Sequence, residues 1–145
     1  MTENMDSFLE DLASSKATPG GGGAAALAGA LGAALGSMVV NLTMGKKKYA
    51  EHEELLRETL KKTEALRREL KDLIAADAAA FAPLAKAYGL PKNTPAEIAA
   101  KERVMEAALA DAAAVPLRIM EKGLEGLRLQ EILAEKGSRL AISDV

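Results

Sequence analysis

The chain has 145 residues, 49% of them apolar and only 3% aromatic, with one His, no Cys, no Trp and a formal net charge of −2. Without cysteine there is no disulfide framework, thiol nucleophile or thiolate metal site, and one histidine leaves no multi-histidine centre, so no metal or other cofactor is expected. Near-neutral charge and few aromatics give no grip on nucleic acid, and Met1-Thr2-Glu3-Asn4 supplies no basic leader to an apolar stretch, which points to the cytoplasm.

Ala and Leu dominate, which favours an all-α single domain over 1–145. Ser7 followed by Glu10 has the form of a capping box, so a short helix carrying Phe8, Leu9 and Leu12 is predicted to end near Ser14. Lys16-Ala17-Thr18-Pro19 and the four glycines Gly20 to Gly23 then read as a loop.

From Ala24 to Met44 there is no charge. The length would suit a bilayer span. However, the run is Ala/Gly-rich, contains Ser37, Asn41 and Thr43, and sets Ala25, Gly29, Gly32 and Gly36 at helical spacings. A buried central helix of a soluble bundle, enclosed on all sides, is the better reading. Each interior glycine costs a helix about 1 kcal/mol relative to alanine, so close packing must offset them.

After Gly45 the polarity switches to Lys46-Lys47-Lys48-Tyr49, and a long amphipathic helix is predicted to about Tyr88, capped by Gly89. Leu66, Leu70, Leu73, Asp77, Phe81, Leu84 and Tyr88 follow one another at steps of three or four, so Asp77 is the one charge on an apolar face. Thr94-Pro95-Ala96-Glu97 combines an N-cap, a proline at the first helical position and a glutamate at the third. The helix it starts carries Ile98, Met105, Leu109, Ala112, Pro116, Ile119, Gly123 and Leu127 on one face, with a kink at Pro116, and stops near Gly137. The fold class is therefore a bundle of long antiparallel helices. Ser143-Asp144 looks like the N-cap of one more.

A carboxylate on an apolar seam loses solvation and can become able to exchange protons near neutral pH. That makes Asp77 the acid/base candidate, against the alternative of a buried aspartate satisfied by a hydroxyl, amide or helix terminus. Its alanine neighbours Ala75, Ala76, Ala78, Ala79 and Ala80 leave room for a ligand or for tight packing. The glycine loop opens on a helix N-terminus, which favours negative charge, yet it lacks the strand and the lysine of a phosphate-binding loop. Lys46, Lys47 and Lys48 at a helix start read as solvated cations or as an anion site, and His52 reads as a surface residue.

Taken together, Thr18-Pro19-Gly20-Gly21-Gly22, the Gly32-to-Val39 segment, Lys46-to-Tyr49, Asp77-to-Phe81, Leu90-Pro91-Lys92-Asn93-Thr94-Pro95, Val115-Pro116 and Ser143-Asp144 resemble the formiminotetrahydrofolate cyclodeaminase and methenyltetrahydrofolate cyclohydrolase family along essentially the whole chain. The resemblance implies an all-helical dimer acting on a folate, and it implies closure of 5-formiminotetrahydrofolate to 5,10-methenyltetrahydrofolate with loss of ammonia. Cyclohydrolysis of the methenyl compound, or folate binding without catalysis, is the alternative. It implies Asp77 as the catalytic group and a substrate site drawn from Pro19, Gly20, Gly21, Gly22, Asn41, Lys46, Lys47, Lys48, Ser143 and Asp144, with the lysines meeting a polyglutamate tail. A homodimer and a formiminotransferase are the implied partners, with neither nucleic acid nor membrane. Two departures stand out: some relatives have a second aspartate at the position of Ala75, and relatives continue past Ser143-Asp144 into further helices.

Overall fold

The computed structural model describes residues 2–145, and side chains from residue 4 onward. Every element among the described residues is helical: α1 Thr2–Leu12, α2 Gly21–Thr43, a 3-10 helix Lys47–His52, α3 Glu53–Tyr88, α4 Pro95–Lys136 and a second 3-10 helix Arg139–Asp144. Helix α1 starts before Ser7, so the Ser7/Glu10 pair lies inside it instead of capping it, and Met5 and Leu9 are exposed. Ser143 and Asp144 close a 3-10 turn; they do not begin a helix. Ser138 is its N-cap, and the Ser138 N–H donates to the hydroxyl of Thr43 at 2.9 Å, tying the turn to the end of α2.

The chain divides into two compact units, residues 1–25 with 73–119 and residues 26–72 with 120–145. In the second unit, α2 runs antiparallel to α3 and parallel to α4. The register follows from Gly29 against Leu70, Gly36 against Thr63 and Leu133, and Gly126 against Leu66. A Cβ on Gly29 would come 3.1 Å from Leu70, and one on Gly36 3.2 Å from Thr63, whereas Gly32 faces open space. Close packing therefore offsets two of the three interior glycines.

The core here is Val39, Val40, Leu56, Leu133 and Ala141, with Met44, Tyr49 and Leu60 packed against it. Burial of such aliphatic side chains is worth roughly 1.5–3 kcal/mol each. Polar side chains link the helices here: the Ser37 hydroxyl donates to that of Thr63 at 2.9 Å, and Gln130 donates to the Gly32 carbonyl at 2.7 Å. Lys122 bridges Glu69 at 2.8 Å and Glu125 at 2.9 Å. Helix α2 is long and apolar enough, by length and composition, to cross a membrane, and 44% of its most apolar stretch is buried. Leu31, Leu35, Met38 and Leu42 line its exposed side, so the expected enclosure holds on one face only.

In the first unit, α3 ends at Tyr88 as its glycine predicted, and Lys101 Nζ donates to the carbonyls of Tyr88 and Leu90, covering acceptors that the helix end leaves open. Helix α4 starts on a formed capping box: the Glu97 N–H reaches the Thr94 hydroxyl at 3.2 Å, and the Thr94 N–H reaches the Glu97 carboxylate at 3.1 Å. It runs unbroken through Pro116 to Lys136. The predicted seam of α3 is buried at Leu66, Leu70, Leu73 and Leu84, half-buried at Asp77 and Phe81, and exposed at Tyr88.

Candidate functional site

Helix α2 begins without a side chain able to cap it. The carbonyl of Gly20 accepts the first helical bond, from Ala24 N–H at 3.0 Å, so Gly20 stands at the N-cap with no oxygen to offer the N–H groups that follow. Asp77 of α3 supplies that oxygen from another helix: its Oδ2 accepts from Gly23 N–H at 3.0 Å. Its carboxylate lies flat over Gly22, where an added Cβ would come 2.5 Å from Cγ and 2.6 Å from Oδ2, and closer still to Oδ1. Oδ2 is thus committed to the backbone, and Oδ1 has no hydrogen bond among the described residues.

Asp77 also forms part of the wall of a recess of about 330 Å³. Ala17, Thr18 and Gly20 contribute the loop side; Gly21 and Gly22, expected in the loop, belong instead to the first turn of α2; Phe81 stands one turn along α3, and Ala112 and Pro116 come from α4. The walls are apolar apart from the carboxylate, the Thr18 hydroxyl and the N–H groups of the first turn of α2. Among these, Gly23 N–H is taken by Asp77, and the N–H groups of Gly21 and Gly22 have no acceptor within their own helix. Such a site can hold a flat, partly apolar molecule with polar edges and present one carboxylate oxygen to it. Asp77 therefore satisfies a helix terminus and also lines an open recess. A larger groove of about 470 Å³ runs along the start of α4 past Ile98, Met105, Leu109 and Lys92. It contains none of the candidate residues, and chemistry singles out the smaller recess.

The structure brings together Asp77, Gly20, Gly21 and Gly22, while Pro19 packs behind them, its Cβ 3.6 Å from where a side chain on Gly23 would begin. The other candidates belong to the second unit. Asn41 is exposed on α2, and Lys46 and Lys47 border a shallow hollow of about 260 Å³ with Ala50 and Glu53. Lys48 stands over the Tyr49 ring at 5.4 Å, and Ser143 and Asp144 end the second 3-10 helix. The Tyr49 hydroxyl accepts from Arg139 N–H at 3.4 Å, which holds its pKa below the usual phenol value. Ala75 is exposed, so an aspartate there would sit on a different side of α3 from Asp77. Thr18, Ala112 and Pro116 were missed as lining residues; helical periodicity placed the last two on one face but could not show that this face borders the glycine turn.

Residues 4–145 match the family model described as formiminotransferase-cyclodeaminase. The chain belongs to that family. Among its relatives, the methenyltetrahydrofolate cyclohydrolase of Methylorubrum extorquens is 54% identical over 98% of this chain and 68% of its own length. The formimidoyltransferase-cyclodeaminase of Rattus norvegicus is 34% identical over 98% of this chain, which spans only 26% of that protein. The formiminotetrahydrofolate cyclodeaminase of Thermotoga maritima superimposes with a TM-score of 0.82 at 32% identity, covering 99% of this chain and 69% of that one. The family fold is thus shared over the whole recess, and a cyclohydrolase and cyclodeaminases both stand among its relatives.

Proposed function

We propose that the chain is a methenyltetrahydrofolate cyclohydrolase, opening the one-carbon bridge between N5 and N10 of 5,10-methenyltetrahydrofolate to give 10-formyltetrahydrofolate. The observation that carries this reading is Asp77, whose carboxylate lines a recess with Oδ2 bonded to Gly23 N–H, in a chain 54% identical to a relative named for that activity. In this reading Oδ1 accepts a proton from water as the water oxygen bonds to the methenyl carbon. The proton passes to N5 as the carbon–N5 bond breaks, and the carbinol proton is released to solvent as the formyl group forms. The turn N–H groups and the apolar walls hold the pterin edge and exclude bulk water. General acid–base catalysis of this type is worth about 10²–10⁴-fold.

The likeness to the Thermotoga maritima cyclodeaminase favours a second reading, the one first expected from sequence, in which N10 attacks the formimino carbon and ammonia leaves. The same Oδ1 then accepts the N10 proton and returns one to the departing nitrogen. Lys46, Lys47 and Lys48 serve as the attracting cations for the carboxylates of a folate tail, the chain works as a cytoplasmic homodimer, and no cofactor is required. Association with a formiminotransferase belongs to the cyclodeaminase reading. One preparation given each folate in turn decides between the two. Loss of the methenyl absorbance, faster than in buffer and without ammonia, supports the cyclohydrolase. Ammonia released from 5-formiminotetrahydrofolate at the higher kcat/KM supports the cyclodeaminase instead.

A further inference from the structure

Four consecutive glycines suggest a turn that needs freedom along its whole length, but the geometry separates them. None has a positive φ, so no position requires glycine for its backbone conformation. A Cβ on Gly20 or Gly21 would meet open space or one carbonyl 4.0 Å away, and a Cβ on Gly23 would make ordinary contacts at 3.6–4.0 Å with Pro19 and Ile74. At Gly22 alone the space is taken, and all three atoms of the Asp77 carboxyl group take it.

We propose that Gly22 is a positioning residue that acts through Asp77: its bare α-carbon is the seat on which the carboxylate lies, with Oδ2 held by Gly23 N–H and Oδ1 left toward the recess. This rests on the reading of Asp77 as the proton-transfer group. An aspartate side chain is short, and the predicted clash reaches its Cγ. A methyl group at residue 22 therefore cannot be avoided by turning the carboxylate about its last bond. The side chain must leave its rotamer, give up Gly23 N–H and carry Oδ1 away from the reacting atoms.

The test uses the whole chain with Gly22→Ala and, as a control helix glycine facing open space away from the recess, Gly32→Ala, each alone, and with Gly22→Ala combined with Asp77→Asn. A misplacement of about 1 Å at a reacting group can cost on the order of 10²-fold, so Gly22→Ala is expected to lower kcat by that order with a smaller change in KM, while Gly32→Ala stays near the parent. The combined variant should be no slower than Asp77→Asn, because neighbours acting through one group are non-additive. Thermal melting gives a second reading that needs no turnover: Gly22→Ala should lower Tm in the parent but not in an Asp77→Ala background, where the occupying carboxylate is gone.

Parent-level turnover of Gly22→Ala beside an impaired Asp77→Asn overturns the inference. So does a multiplicative loss in the combined variant, or an equal Tm loss with and without the Asp77 carboxylate. If Asp77→Asn is itself fully active, it is the reading of Asp77 that has failed, and the positioning role falls with it.

Discussion

One oxygen of Asp77 is bonded to the start of α2 and the proposed function gives the other proton transfer, and substitutions can separate the two. Asparagine keeps an acceptor for Gly23 N–H, whereas alanine removes it, so Asp77→Ala should lose the roughly 0.5–2 kcal/mol typical of a helix N-cap while Asp77→Asn melts closer to the parent. Equal melting of the two variants would show that the cap contributes nothing. Gly21, by contrast, is exposed at the first helical residue with open space where a side chain would go. Gly21→Ala should stabilise the fold by about 0.4–1 kcal/mol through the unfolded state, measured by denaturant midpoint, and destabilisation would contradict the open geometry. At the end of α4, Gly137 has no such freedom: a Cβ there would strike the Leu133 carbonyl and come 3.1 Å from Val39. Its φ is not positive, so glycine at the α4 terminus is set by packing.

At the scale of elements, the long helices were legible wherever a local signal marks an end. Thr94-Pro95-Ala96-Glu97 forms the box its letters describe, because every group involved lies within four residues. Thr94→Ala should therefore cost about 0.5–2 kcal/mol. Gly89 and Gly137 directly follow α3 and α4 as expected, although neither has the positive φ of a glycine C-cap. What was not legible depends on partners far along the chain. Nothing near Gly20 announces that Asp77, more than fifty residues later, caps α2. Nothing local separates the buried side of α2 from the side bearing Leu31 and Leu35, because both sides are equally uncharged. The seam of α3 did locate Asp77, since an isolated charge among leucines at helical spacing is a periodic signal.

Between elements, the Lys122 ammonium between Glu69 and Glu125 has its pKa raised above 10.5, chiefly by the Glu69 hydrogen bond. A raised folded-state pKa gives stability that is complete below the unfolded value and lost as pH climbs through the folded one. Lys122→Met should thus flatten the loss of stability on the alkaline side of pH 10.5, with the solvent exposure of both carboxylates keeping the effect small. An unchanged alkaline slope would mean that the bridge does not persist in solution.

For the molecule as a whole, a net charge of −2 conceals a local excess of cations at Lys46, Lys47 and Lys48, all exposed. Exposed charges act over about 8 Å at physiological ionic strength, so these lysines matter for polyanionic ligands and little for neutral ones. Affinity for a polyglutamylated folate should fall more steeply with salt than affinity for the monoglutamate, and replacing the three lysines by alanine should remove the difference. Equal salt dependence in the parent would exclude a role for them in tail binding. The chain spans 68% of its 54%-identical relative and supplies the residues that line the recess around Asp77. The central claim can therefore be put to this chain directly.

The most direct measurement is the rate of methenyl absorbance loss from 5,10-methenyltetrahydrofolate, above the buffer rate, with the parent chain and with Asp77→Asn at matched melting temperature. The account predicts a fall in kcat of about 10²–10⁴-fold in the variant with folate binding largely retained. An Asp77→Asn protein that opens the bridge at the parent rate would contradict it.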